Sequence, residues 1–228
     1  MSVLFDSVKS LVFPDLCIAC RAKRPHGDQE FCKTCLTKLP FIRDLNDAYA
    51  ALEGKDEFPE EIKQFVSLFY YTKESYVAEM IHYIKYDGLY KIARYLGGLL
   101  YERHLSNLFL EDYVLVPVPL HPRKMKKRSY NQAEEIAKGI MIKSGLPIST
   151  DYLIRKSDTA SQTKKGQEDR RMILADAFDL RPSITPPSDK IILVDDVVTT
   201  GSTISACINK LQLNVPKDII VATLGVSI

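Results

Sequence analysis

One stretch constrains this chain more than any other: Ile191-Ile-Leu-Val194, then Asp195-Asp196, then Val197-Val198, then Thr199-Thr-Gly-Ser-Thr203. The apolar run, rich in β-branched residues, predicts a strand buried on both faces, which is how strands of a parallel sheet read. Two adjacent carboxylates are expected to end it. A hydroxyl-rich turn follows, with Gly201 supplying conformations that side chains obstruct. Ile204, Ile208 and Leu211 then recur at helical spacing. A turn of this kind, leading into a helix, directs backbone N–H groups, hydroxyls and the positive end of a helix dipole at one point, which suits a phosphate. Carboxylates repel phosphate, so Asp195 and Asp196 are expected to face hydroxyls or a hydrated Mg²⁺ instead. A phosphorylated sugar with free hydroxyls satisfies both halves of the stretch. A Walker-type loop is excluded, because no Gly-Lys-Ser/Thr follows the glycine.

The same residues resemble the PRPP-binding motif of type I phosphoribosyltransferases, an apolar strand followed by two acids and a Thr/Gly/Ser loop. The resemblance implies that Asp195 and Asp196 take the ribose 2′ and 3′ hydroxyls with Mg²⁺ nearby. It implies that Thr199, Thr200, Gly201, Ser202 and Thr203 hold the 5′-phosphate.

Four of the five cysteines form two Cys-x-x-Cys pairs, Cys17/Cys20 and Cys32/Cys35, with eleven residues between them. Each pair offers two thiolates to one metal, and together they complete a tetrahedral Cys₄ zinc site. Four thiolates close the site, so the zinc is expected to be structural. The intervening segment has Pro25 and Gly27 and few apolar residues, so metal would supply its folding energy. His26 reads as a loop residue. The N-terminus lacks the features of a secretory signal, and no apolar run approaches the roughly 20 residues of a membrane span. A cytoplasmic protein is the expectation, and in that compartment metal binding is favoured over disulfides. A net charge of +2 confines any nucleic-acid footprint to a local patch.

Along the chain, residues 1–12 carry apolar positions at helical spacing, and Pro14 stops them. Residues 1–43 form an N-terminal helix and zinc module. Residues 44–64, rich in acidic and small residues, read as a linker, and 65–228 form the main domain. Within it, strands are expected at Phe65–Tyr71, Val114–Pro119, Asp151–Arg155, Ala177–Leu180 and Asp218–Leu224. Helices are expected around Val77–Ile84, Ile92–His104 and Ala133–Ile140, with Asn131 as a cap. The alternation predicts a mainly parallel sheet with helices on both faces. After the Val114 strand come Arg123, Lys124, Lys126, Lys127 and Arg128, five cations in six positions. They suit a pyrophosphate, a nucleic-acid backbone, or a solvated loop. Lys85 before Gly88 is equally a helix-end lysine or a site residue. Tyr83, Tyr86, Tyr90 and Tyr130 are candidate stacking platforms or core residues with a polar tip. A polar stretch from Arg155 and Lys156 through Gln162 to Arg170 is expected to be a mobile loop that closes over a ligand.

Taken whole, the chain resembles the ComF family of competence-associated, phosphoribosyltransferase-like proteins. The resemblance rests on the paired cysteines, Phe69-Tyr-Tyr71, Lys85 with Gly88, and Val116-Pro-Val-Pro119. It continues through Arg128-Ser-Tyr-Asn-Gln132, Thr159-x-x-Gln162 with Arg170, Ala177-Phe178 and the PRPP motif. Ser129 stands at a position where the family usually has glycine, and Ile173 where it commonly has asparagine. The resemblance implies a zinc module on a type I phosphoribosyltransferase-like α/β fold that binds Mg-PRPP or a related sugar phosphate. It also implies an association with single-stranded DNA uptake in natural transformation, with single-stranded DNA and DNA-uptake proteins as partners. The alternative is an active phosphoribosyltransferase of nucleotide metabolism or salvage. No residue is assigned a catalytic role.

Overall fold

The computed structural model describes residues 16–20, 22, 30–55, 57–59, 62–86, 88–156, 176–182, 184, 188–212 and 218–228. The helix expected over residues 1–12 lies outside them, as do Gln162 and Arg170 of the polar stretch. The chain divides into two compact units, Met1–Pro40 and Phe41–Ile228.

In the first unit, Cys17 and Phe31 are buried and a short helix α1, Lys33–Thr37, follows Cys32. The second unit begins earlier than the expected start of the main domain. The segment read as a linker holds helix α2, Leu45–Ala50. Asp44 caps it by accepting from the Asp47 amide at 3.0 Å. Ala48 and Ala51 are small enough to be buried in the same core as Phe65. The Tyr49 hydroxyl accepts from the Phe65 amide at 3.0 Å, so this acidic segment is docked on the domain. Its sparse apolar content hid that role, because the packing residues Ala48, Ala51, Leu52, Phe58 and Ile62 are scattered among acidic ones.

The remaining elements are β1 (Gln64–Tyr71), α3 (Tyr76–Tyr86), α4 (Tyr90–Leu100), β2 (Val114–Pro117), α5 (Pro122–Arg128) and α6 (Gln132–Ser144). They continue as β3 (Leu153–Arg155), β4 (Phe178–Leu180), β5 (Lys190–Val198), α7 (Ser202–Gln212) and β6 (Asp218–Ser227). A π-helical turn, Tyr101–Leu105, prolongs α4. Four strands form a parallel sheet in the order β1-β6-β5-β2, and β3 and β4 pair separately and antiparallel.

The central strand explains the layering. Ile191 and Leu193 pack in a core with Ile204, Cys207, Ile208 and Leu211 of α7. Ile192 and Val194, of opposite parity, are fully buried as well, so both faces of β5 are covered. This is the mixed α/β fold expected, a parallel sheet flanked by helices. β5 outruns its expected end: backbone pairing with β6 continues through Asp195↔Thr223 to Val198↔Val226. Pairing with β2 stops at Pro117↔Val194. The acidic pair therefore lies within the strand, at the level where one of its two neighbours has ended.

The basic run is a helix rather than a loop. The His121 side chain accepts from the Arg123 amide, Pro122 occupies the first turn, and Lys126, Lys127 and Arg128 fill the last turn, where cations oppose the dipole. Ser129 ends it at φ +66°, the left-handed conformation that favours glycine. Asn131 then caps α6 by accepting from the Ala133 amide, and its Nδ2 donates to the Val118 carbonyl at 3.0 Å, tying α6 to the end of β2.

Helices α4 and α6 approach closely at two glycines. A Cβ on Gly139 would meet the Arg94 carbonyl oxygen at 2.0 Å, and one on Gly97 would meet that of Ile136 at 2.1 Å. Gly98 is different: its nearest neighbour would be the flexible Lys143 side chain at 3.5 Å. Gly139→Ala should lower stability by about 3 kcal/mol, at the upper end of overpacking costs. Gly98→Ala should raise it by about 0.5–1 kcal/mol through helix propensity. Urea denaturation of the two variants checks the contrast.

Candidate functional site

The acidic pair lies near the end of β5 in the main unit. Asp195 is 8% exposed and Asp196 6%. Strand alternation sends the two side chains toward opposite faces. Asp196 meets helix α3: Lys85 Nζ lies 2.8 Å from its Oδ2. That oxygen makes no hydrogen bond among the described residues, so the contact is an ion pair off hydrogen-bond geometry. Asp195 Oδ1 accepts from the Asp196 amide at 2.8 Å. Burial pushes the Asp195 carboxyl up, the Asp196 charge pushes it further, and it reaches about 7. For Lys85, burial disfavours the ammonium, but attraction to Asp196 and Asp195 prevails and holds its pKa above the ordinary range.

The loop after β5 leads directly into α7. Thr199 and Thr200 are exposed, the Thr200 and Ser202 hydroxyls lie 2.8 Å apart, and α7 starts at Ser202, whose amide donates to Thr200 Oγ1 at 3.4 Å. Gly201 adopts φ +92°, and a Cβ there would meet the Phe58 backbone at 2.7 Å. Glycine is required for the turn and for that contact, which places residue 58 against the loop.

The remaining predicted residues separate. Lys127 and Arg128 line an open cleft of about 540 Å³ together with Tyr86, Tyr90 and Tyr130. Arg123 and Lys126 are exposed on α5, and Lys124 is half-buried. Arg155 stands over the Phe178 ring at 5.0 Å and contributes positive potential at Asp195. Lys156 pairs with Asp179 across the β3–β4 ladder, which holds the Asp179 carboxyl below its usual range. Sequence reasoning left Lys85 undecided, and it missed Phe58 and the pairing of half-exposed Arg94 with buried Glu135. The lysine at the end of an amphipathic helix was the one available signal.

In the first unit, the four cysteine sulfurs lie within 4.8 Å of one another. Cys20 and Cys32 are 3.8 Å apart, the edge of a tetrahedron with Zn–S bonds of about 2.3 Å. All five cysteines of the chain are free thiols. Burial pushes the Cys17 thiol up, but the backbone amides of Cys20, Cys32 and Ala19 outweigh it and bring it to about 6. Hydrogen bonding to Cys20 and burial push Cys35 up to about 12. Four thiolates this close cannot ionise together without a cation, and a divalent soft ion meets that need. The donor set fits Zn²⁺, with Cys17, Cys20, Cys32 and Cys35 as ligands and no open position for chemistry.

Comparison with known proteins adds the family. No family model matches the chain. It is 33% identical over 132 residues to "Competence protein F" of Haemophilus influenzae, covering 55% of this chain and 57% of that protein. It is 29% identical over 135 residues to "Competence protein ComFC" of Streptococcus pneumoniae, covering 59% and 56%. A longer match, 26% over 208 residues, joins it to "DNA utilization protein YhgH" of Salmonella typhi and covers 86% and 89%. These similarities support assignment of the chain to the ComF family. Its match spans little more than half the length of the two competence proteins. Among the described residues, no helix is long and apolar enough to cross a membrane.

Two outcomes are expected for this chain. Purification without chelators should yield one zinc per chain by elemental analysis; absence of zinc, or a Cys17–Cys20 disulfide, would overturn the metal assignment. The second concerns pH. With its folded pKa raised to about 7, Asp195 holds its proton more tightly folded than unfolded. The stability this confers is complete below about pH 4 and is lost as pH rises through about 7. Asp195→Asn removes the loss, so in thermal melts the variant should gain on the parent between pH 4 and pH 8.

Proposed function

We propose that this chain binds a sugar phosphate, PRPP with Mg²⁺ or a relative of it, at the carboxyl edge of β5, and that it serves the uptake or utilisation of single-stranded DNA. One observation carries the first half. The carboxylates of Asp195 and Asp196 stand where β2 pairing ends, followed directly by the hydroxyl loop and the start of α7. Ligands of open α/β sheets bind outside the carboxyl ends of their strands. Asp196 Oδ2 faces the Lys85 ammonium at 2.8 Å, and a ribose hydroxyl would add a donor to that ion pair. Mg²⁺ takes oxygen ligands, most of them from the ligand's own phosphates and water, and both carboxylates qualify as donors. Lys85 would trade part of its attraction to Asp196 for ligand phosphate. Thr199 to Thr203 would receive the 5′-phosphate, and Arg155 would add positive potential beside Asp195.

The names of the relatives support the second half, since competence and DNA utilisation both concern handling of DNA. The exposed cations of α5 are suited to a phosphate backbone. Binding of this type releases counterions, so log affinity falls with log salt by about 0.7 per phosphate contacted on a single strand.

Calorimetry with Mg-PRPP tests the first half. Changing Asp195 and Asp196 together to Asn should weaken binding tenfold or more, on the order of one charged hydrogen bond, while circular dichroism is unchanged. Undiminished affinity would overturn the assignment. Single-stranded DNA titrated at several salt concentrations tests the second half. Lys126→Ala should lower the salt slope by about 0.7. A flat salt response, with rapid pyrophosphate release when a nucleobase is added, would replace DNA handling by transferase turnover.

A further inference from the structure

The cleft formed by the end of α3, the start of α4 and the α5–α6 junction lies outside the acidic pair and its loop, and its lining has a chemistry of its own. Its volume, about 540 Å³, lies in the range of small-molecule sites. Tyr86 and Tyr90 are 51% and 38% exposed, an unusual placement for two large rings on one cleft. Tyr130 stands edge-on to Tyr90 with ring centroids 6.0 Å apart, and its hydroxyl donates to the Ile84 carbonyl, which fixes the ring. Tyr83, the fourth tyrosine of this region, does not line the cleft.

The cations are positioned rather than loose. Arg94 Nε donates to Glu135, a carboxylate only 5% exposed, and the guanidinium lies 5.3 Å from the Tyr90 ring centroid. Its two Nη groups make no hydrogen bond among the described residues. Arg128 donates to Gln132 Oε1 at 3.0 Å and to the Tyr86 hydroxyl at 3.3 Å, both neutral acceptors. The Lys127 ammonium lies 5.6 Å from the centroid of the Tyr86 ring and has no carboxylate partner among the described residues. Glu135 offsets Arg94, so the cleft keeps the positive charge of Lys127 and Arg128.

We propose that this cleft binds a nucleotide, with the phosphate at Lys127 and Arg128 and the base against Tyr90, Tyr130 and the Arg94 guanidinium. Two uncompensated cations beside half-exposed rings match an anion joined to an aromatic plane, and base stacking on tyrosine or arginine needs no particular sequence. A bare anion would leave the rings unused, and an apolar ligand would leave the cations unpaired. The site is independent of the sugar-phosphate reading, because neither Asp195 nor Asp196 lines it.

The test uses the full chain with three probes: thymidine monophosphate, an end-labelled twelve-residue oligothymidylate, and inorganic phosphate as the ringless control. Binding is read by calorimetry and by anisotropy. Tyr90→Ala should weaken thymidylate and oligonucleotide binding roughly 5- to 150-fold, the range for one lost stacking contact. Tyr90→Phe keeps the ring, and no hydrogen bond of the Tyr90 hydroxyl would be lost, so it should match the parent within about twofold. Lys127→Ala should weaken both probes and lower the oligonucleotide salt slope by about 0.7. Equal affinity for monophosphate and oligonucleotide assigns the cleft to free nucleotides, and much tighter oligonucleotide binding assigns it to a strand; both support the site. No binding of either probe, an unchanged Tyr90→Ala, or displacement by phosphate as efficient as by thymidylate would overturn it. Asn at both Asp195 and Asp196 should leave thymidylate affinity intact, so this site and the sugar-phosphate site fail separately.

Discussion

Two successive carboxylates on a buried strand are costly to accommodate, and much else follows from how they are tolerated. Neither face of β5 offers water to Asp195 and Asp196, and their charges repel. The fold compensates asymmetrically. Asp196 receives the Lys85 ammonium from α3, whereas Asp195 receives only a backbone amide and the more distant field of Lys85 and Arg155. Its proton affinity rises accordingly. A single lysine cannot neutralise two carboxylates.

Strand lengths place this arrangement. β2 pairs with β5 for only four residues and ends at the proline-rich Val116-Pro-Val-Pro119, since proline cannot extend a ladder. β6 continues beside β5 to its end. The resulting notch holds the acids on a strand stiff enough to position them. Asn131 then anchors α6 to the last residues of β2, and the glycine contacts between α4 and α6 bring Arg94 to Glu135. The aromatic and cationic cleft is thus positioned by the same close packing that stabilises one layer of the domain.

How far the sequence could be read depended on whether a signal was local. The apolar run of β5, the hydroxyl turn and the helix after it are neighbours in sequence, and hydrophobic periodicity exposes them. The Cys-x-x-Cys spacing is local in the same sense, and the sulfurs do converge. The acidic segment before β1 was misread as a linker because α2 packs through alanines, which carry little hydrophobic signal. The basic run was left open between a pyrophosphate site, a nucleic-acid patch and a solvated loop. Its helix divides the side chains between solvent and the cleft, and only Lys127 and Arg128 reach the tyrosines.

The sequence alone determined the α/β class, the central buried strand, the acid–hydroxyl motif and the four-thiolate set, because each is written in short-range pattern and residue chemistry. Tertiary structure alone decided that Asp196 is partnered by a lysine 111 positions earlier and that Asp195 is left to titrate near 7. It also decided that Phe58 lies against Gly201, and that three tyrosines from two separate stretches line one cleft. These are long-range juxtapositions, set by strand register and helix packing. No window along the chain contains both members of such a pair, so their charge and shape become readable only when the sheet has brought them together.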